Sequence, residues 1–178
     1  FSSSRVYARW AAQLCKMAGK ETESTKTSNV ITFGAIKQVL IKYGKYRLDD
    51  IKREHNHQCS IIGQIINSFS KQPYLFDTHN LLKFIKETVI GNIDDIKIDG
   101  VKIIYPIQLA HFLFRIGFLI AVEKSIGNNP NYFHYEDKPD LLIDNANLDD
   151  GLDWIIHPSY QAALSCITAS SPIVLNID

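Results

Sequence analysis

The sequence predicts a mainly helical fold with small β elements, of the α+β class. Several segments place apolar side chains at spacings of three and four, which is typical of amphipathic helices. Shorter runs alternate between apolar and polar residues or lie between turn clusters, as strands do. The chain has 178 residues, of which 46% are apolar and 21% charged, with a formal net charge of zero. These values indicate an ordinary soluble globular protein.

Two helices are predicted in the first third of the chain. The first covers residues 5–18, and its apolar side chains share one face: Val6, Trp10, Leu14 and Met17. Residues 19–29 are polar and have the composition of a loop. A second, longer helix is expected over residues 32–54, although Gly44 in its interior costs about 1 kcal/mol relative to Ala and requires packing to offset it.

Shorter units follow from residue 59 onwards. The pattern predicts a short helix over residues 61–69, a brief strand over 74–76, and a helix that Asp77 or Thr78 caps. Residues 96–103 alternate about Asp99 and Gly100, which is a short-range hairpin signal.

The next helix is expected to begin at Pro106 and to end at Gly117. Strands over residues 118–123 and 132–135 follow it, joined by a turn cluster. The resulting order of helix, strand, helix, helix, strand, turn and strand is the winged-helix topology. After an acidic connection come a strand at 154–156 and a helix at 158–165, which we expect to dock against this domain.

Two regions resemble known proteins. The motif YGKYRLDDIKRE at residues 43–54 resembles the helix that follows the ATPase core in bacterial P-loop ATPases related to AAA and STAND proteins, several of them in phage-defence loci. The motifs FLFRIGFL at 112–119, YFHY at 132–135 and IHPSYQAAL at 156–164 resemble the winged-helix end of the same group. The resemblance covers about residues 30–165 in the right order.

The resemblance implies a helical lid-like segment at 1–56, a winged-helix domain with a C-terminal extension at 57–169, and a tail at 170–178. It implies a bacterial, cytoplasmic regulatory module that couples nucleotide state to partner binding or assembly, with ATP and magnesium bound in an upstream domain, and a role in antiviral defence. Partners would be that ATPase domain or other subunits, with oligomers formed through the parent protein. A basic set would face the ATPase core: Arg5, Arg9, Lys37, Lys45 and Arg47. Arg5 is the nucleotide-sensing candidate.

The chain contains neither the Gly-x-x-x-x-Gly-Lys-Ser/Thr nor the Gly-x-Gly-x-x-Gly motif, so no phosphate-binding loop and no cofactor are predicted in it. His55, His57 and Cys59 form the best metal-ligand candidate, but a tetrahedral zinc site needs a fourth ligand. No metal is therefore assigned. Enzymatic activity is left open for the parent protein.

One alternative to the regulatory module is a fragment of a hydrolase, in which His157 would act as the base for Ser159 or Ser165. The simpler interpretation is that Pro158 begins a helix and that His157 fixes the turn through a side-chain hydrogen bond.

The other alternative to the regulatory module, and the one ranked before the hydrolase, is a winged-helix DNA-binding module. Base contacts would come from Gln108 and His111, but phosphate contacts require several cations, and the candidate recognition helix and wing offer Arg115 and Lys124. Protein contact is therefore favoured over DNA contact. The interaction candidates are Arg47, Asp50, Glu54, Gln108, His111, Arg115, Lys124 and His157.

The sequence predicts a cytoplasmic protein without a membrane span, because no apolar run reaches the length of about 18 residues that a bilayer requires. Residues 1–56 carry eleven Lys and Arg against five Asp and Glu, whereas residues 118–157 carry two against eight. The two regions could attract each other or address different partners. The three cysteines are widely spaced, which argues against a disulfide framework and for a reducing compartment.

Overall fold

The computed structural model describes residues 3–25, 33–123, 130–139, 141 and 151–167. It is an α+β fold, as the sequence predicts. The helices are α1 (Ser3–Thr25), α2 (Phe33–His55), α3 (Ile62–Ser68), α4 (Thr78–Phe84, continued by a π-helical segment, Ile85–Ile90), α5 (Pro106–Arg115) and α6 (Pro158–Leu164). The strands are β1 (Leu75–Asp77), β2 (Lys97–Ile98), β3 (Val101–Lys102), β4 (Leu119–Glu123), β5 (Asn131–Phe133) and β6 (Leu152–Ile156).

Four strands form an antiparallel sheet in the order β1-β6-β4-β5. The predicted pairing of β4 with β5 is present, with Ala121 opposite Phe133. From sequence, β6 is expected to dock on the domain as a terminal strand, whereas it is an interior strand paired with β1 on one side and β4 on the other. Its alternation accounts for this position, because Leu152, Trp154 and Ile156 are all buried.

The β2–β3 hairpin confirms the prediction made from Asp99 and Gly100. Their φ angles are +51° and +80°, and a two-residue turn with positive φ at both central positions matches the twist of the flanking strands. Asp99 also accepts a hydrogen bond of 3.1 Å from the Arg115 guanidinium, which attaches the hairpin to the end of α5.

One hydrophobic core extends from the end of α2 to α6. The sequence predicts that this core unites Phe112, Leu113, Ile116, Phe118, Tyr132 and Phe133 with Ile62, Ile65, Leu82 and Ile85. Seven of these ten residues are buried in it: Phe112, Leu113, Phe118, Ile62, Ile65, Leu82 and Ile85. Ile116 and Phe133 pack against it while partly buried. The prediction for Tyr132 is wrong, since this residue is 55% exposed on the edge strand β5.

Helix α1 continues through much of the predicted loop, as far as Thr25. Ala18 and Thr22 are buried on one face of its C-terminal half, and Glu21 forms a 2.9 Å ion pair with Lys42 of α2. Contacts with α2 thus extend a helix that local composition alone does not support.

Some sequence predictions concern residues or side chains that the structure does not describe. Lys124 and the tail 170–178 lie outside the described residues, as do the side chains of Arg5 and Arg9. The division at residue 56 stays a prediction, although α2 packs against α6 across it. No helix in the described ranges has the length and apolar character required to cross a membrane.

Candidate functional site

A partly buried polar cluster lies where α2 meets the start of α6. Helix α2 contributes Tyr43 and Arg47, which are four residues apart and therefore share a face. Helix α6 contributes Tyr160, and His157 immediately precedes it. His134, just after β5, completes the cluster, with its ring centroid 6.0 Å from that of His157.

Gly44 sets how closely the two helices approach. A Cβ atom at this position would lie 2.7 Å from the backbone oxygen of Ser159 and 2.9 Å from the Cβ of Ala163. Real Cβ atoms do not approach backbone oxygens so closely, so any larger residue would push α6 away from α2. The glycine that disfavours the helix locally is what permits the neighbouring polar groups to meet.

His157 caps α6, as the simpler interpretation of the sequence predicts. Its ring is only 4% exposed, and its Nδ1 accepts a 3.2 Å hydrogen bond from the backbone N–H of Ser159. Pro158 occupies the first helical position, where a missing N–H is tolerated. The pKa of His157 is lowered from 6.5 to about 4, mainly by burial and to a lesser extent by the nearby His134 and Arg47.

Tyr160 links the cluster to the core. Burial raises its pKa to about 12, which Arg47 opposes through its charge and a hydrogen bond. The Tyr160 ring stacks on Phe118, with centroids 5.7 Å apart. At neutral pH the uncharged imidazole of His157 and the uncharged phenol of Tyr160 therefore lie near the guanidinium of Arg47.

The Arg47 side chain also pairs with Asp50 at 3.3 Å, and Asp50 in turn pairs with the exposed Arg53. Tyr43 completes this side of the cluster. Burial raises the pKa of Tyr43, and its hydroxyl has no hydrogen-bond partner within the described part of the chain. Glu54, the remaining candidate on α2, is exposed.

This geometry favours a structural role for His157 over hydrolysis. Its Nδ1 is engaged by a backbone amide, and Ser159 contributes that amide to the cap. Ser165 follows α6 in a left-handed conformation, with φ of +54°, and is exposed. A nucleophile requires a base oriented toward its hydroxyl, and the cap directs His157 to the helix instead.

The candidate recognition helix α5 uses its polar side chains within the molecule. The Gln108 Oε1 accepts hydrogen bonds from the backbone N–H groups of Ile104 and Tyr105, at 3.1 Å and 3.0 Å. His111 lies 3.3 Å from the Pro139 carbonyl oxygen through its Nε2. The three α5 residues assigned to base or phosphate contact thus have intramolecular partners, since Arg115 bonds to the hairpin as described above. Lys124, the fourth assigned residue, lies outside the described part of the chain.

The proposed metal ligands do not assemble. No group of three or more His, Cys, Asp or Glu side chains suited to a metal ion occurs among the described residues. The His55 Nδ1 instead lies 2.9 Å from the Gln58 Oε1, and Cys59 is buried, which raises the pKa of its thiol.

Sequence reasoning missed the contributions of Tyr43, Tyr160 and His134 to the cluster. The spacing of four between Tyr43 and Arg47 was a usable signal for a shared face. Their meeting with residues more than 100 positions later depends on the α2–α6 contact, for which Gly44 in the middle of a helix is the only local signal. Comparison of the chain with family models, curated proteins and solved structures gives no significant match.

Proposed function

We propose that this chain is a non-catalytic interaction module from the C-terminal region of a larger P-loop ATPase. In this proposal, α1 and α2 form the lid-like segment and the rest is a variant winged-helix domain with β6 inserted beside β1. The module couples nucleotide state in an upstream domain to partner binding or assembly. The sequence motifs at residues 43–54 and 112–119 support the ATPase connection.

The observation that carries the interaction role is the engagement of α5. A DNA-reading helix must present unoccupied polar and cationic side chains to base edges and phosphates. Here Gln108 caps its own helix, and Arg115 is paired with Asp99 while its guanidinium lies 5.3 Å from the centre of the Phe112 ring. Using them on DNA would require breaking these contacts.

An exposed apolar segment immediately before α5 suits a protein partner better. Val101, Ile104 and Tyr105 are 64%, 65% and 63% exposed within five residues. Apolar and aromatic side chains are enriched at the centres of protein interfaces. Lys102 is also exposed on the hairpin, whereas Lys97 pairs with Asp95 at 2.6 Å, so charges of both signs border this apolar segment.

Coupling to the lid would pass through α2. Its Lys37 and Lys45 are exposed and available to an upstream domain, whereas Tyr43 and Arg47 face inward toward α6. A displacement of α2 would therefore act on α6. Helix α6 comes immediately after the interior strand β6 in the chain, so the displacement would also reach the sheet.

A binding experiment separates the protein and DNA alternatives. Fluorescence anisotropy of a labelled duplex would be measured with the chain at 50 mM and 200 mM salt. We expect no salt-dependent binding at micromolar protein, because nonspecific DNA binding requires several phosphate-neutralising cations. Binding with a dissociation constant in the micromolar range, and an affinity that falls steeply as salt increases, would support the DNA-binding alternative instead.

The interaction role is tested in the parent protein. A triple variant (Val101→Ser, Ile104→Ser, Tyr105→Ser) would be compared with a control at two exposed apolar residues elsewhere, Tyr132 and Ile167 (Tyr132→Ser, Ile167→Ser). Sedimentation in ATP and in ADP should show nucleotide-dependent assembly that only the triple variant loses. ATP hydrolysis by the 178-residue chain alone, or unchanged assembly of the triple variant, would contradict the proposal.

A further inference from the structure

We propose that the α2–α6 contact is a proton-sensitive latch, closed while His157 is neutral and opened when its Nδ1 takes up a proton. The latch goes beyond the interaction role and does not depend on an ATPase parent. It rests on the cap that His157 provides, on the groups around its ring and on the close approach at Gly44.

The hydrogen-bond direction fixes the protonation state of the closed form. The Nδ1 of His157 accepts from the Ser159 N–H, so the neutral ring carries its proton on Nε2. A further proton can bind only at Nδ1. Imidazolium donates from both nitrogens, and it can no longer accept from Ser159. Protonation therefore removes the cap of α6.

The surroundings oppose a positive charge on this ring. Burial disfavours the charged form most, followed by the positive influence of His134 beyond β5 and of Arg47 on α2. Tyr160 of α6, whose ring centroid is 5.5 Å away, is an uncharged phenol.

The carboxylates on the facing side of α2 offer little compensation. Asp50 is already paired with Arg47 and Arg53, and Glu54 is exposed to solvent, where its charge is screened. Tyr43, the other titratable group of this face, is an uncharged phenol whose pKa burial raises. A protonated His157 would therefore be better accommodated in water than in this contact.

The cap is adjacent to the closest point of contact between the helices. Ser159, whose N–H is capped, also supplies the carbonyl that would lie 2.7 Å from a Cβ at position 44. Loss of the cap frees the first turn of α6, and this turn carries the contact with α2. Opening exposes His157 to water, where its protonated form is stable.

The direction of the pH dependence follows from linkage. The pKa of His157 is about 4 when the latch is closed and 6.5 when the ring is free in water. The closed form is therefore fully favoured above pH 6.5 and loses that advantage as the pH falls toward 4. At pH 5 the ratio of closed to open molecules should be about 30-fold lower than at pH 8 through this group alone.

Two NMR measurements on the full chain test the latch. Imidazole nitrogen shifts would report the tautomer and the titration of His157, and amide hydrogen exchange would report opening at Ser159 and Tyr160. We expect the Nε2–H tautomer of His157 and a titration of its ring well below pH 6. Between pH 8 and 5, exchange of the Ser159 and Tyr160 amides, corrected for intrinsic rates, should accelerate about 30-fold more than exchange of the α4 amides. Titration of His157 near pH 6.5, or the same pH dependence of amide exchange in α6 and α4, would overturn the proposal.

Matched variants separate the latch from a merely structural cap. His157→Asn retains an acceptor of the kind preferred at helix N-termini but does not titrate, so α6 should stay protected and lose its acid sensitivity. His79→Asn changes an exposed histidine on α4 and should leave that sensitivity intact. If His157→Asn fails to fold, His134→Gln gives the second test, since His134 is one of the groups that lower the pKa of His157 and its removal should raise that pKa. An unchanged pKa in that variant would contradict the proposal.

Discussion

The indole Nε1 of Trp154 donates a 2.8 Å hydrogen bond to the Thr78 hydroxyl, and both side chains are buried. The bond joins the interior strand β6 to the first turn of α4 across 76 residues of sequence. The Trp154 ring also makes an edge-to-face contact with Phe114 of α5, with centroids 5.4 Å apart. The strand that is expected from sequence to dock as a C-terminal extension is thus fixed by a polar and an aromatic contact to two helices.

Thr78→Val tests the polar contact without changing side-chain shape. The substitution leaves the Trp154 N–H buried without its acceptor, so the free energy of unfolding should fall by about 1 to 3 kcal/mol in urea denaturation. Thr22→Val is the matched control, because the hydroxyl of Thr22 donates to the Ala18 carbonyl within the same helix. Its loss should be smaller, and equal losses in the two variants would argue against a specific role for the Trp154 bond.

Leu113→Ala tests whether α5 lies in the core. Leu113 is fully buried, so removing its side-chain carbons should lower the free energy of unfolding by about 2 to 5 kcal/mol. Ile104→Ala, at an exposed position just before the same helix, should change it by less than about 0.5 kcal/mol. A loss below 1 kcal/mol for Leu113→Ala, measured by the same denaturation, would place this helix at the surface.

The three cysteines should differ in reactivity toward a thiol reagent at pH 8. Cys15 is exposed, Cys59 is buried, and burial raises the pKa of Cys166 to about 11. Because the thiolate is the reacting form, Cys59 and Cys166 should react much more slowly than Cys15 in the folded chain. With an aromatic disulfide as the reagent, Cys15→Ser should abolish the fast phase of colour development. In denaturant, Cys59 and Cys166 of this variant should react at similar rates. A fast phase that persists in Cys15→Ser would refute this order.

Local signals predict much of the fold. Asp77 caps α4, Asp99 and Gly100 form the hairpin turn, and Pro158 begins α6, each within a few residues of the pattern that indicates it. These features depend on backbone geometry and capping, which nearby residues determine. The cap formed by His157 belongs to the same class and is confirmed at the expected position.

Long-range relationships account for the features that the sequence does not reveal. The placement of β6 between β1 and β4 depends on strand pairing across most of the domain. Tyr132 lies on a strand of the predicted type, but its position on an edge leaves it exposed. The meeting of Tyr43 and Arg47 with Tyr160 requires α2 and α6 to pack closely, and the only local trace of that contact is a glycine in the middle of a helix.

Substitution of that glycine provides the last test. By helix propensity alone, Gly44→Ala should stabilise the protein by about 1 kcal/mol. The added Cβ would lie 2.7 Å from a backbone oxygen of Ser159, so overpacking should reverse the sign and lower the free energy of unfolding by about 1 to 3 kcal/mol. Gly19→Ala is the matched control, since a Cβ at that position of α1 meets nothing within 4 Å and should stabilise the protein by up to about 1 kcal/mol. Thermal and urea unfolding of the two variants should therefore shift in opposite directions. A stabilising Gly44→Ala would mean that α2 and α6 do not approach each other as closely as the structure places them.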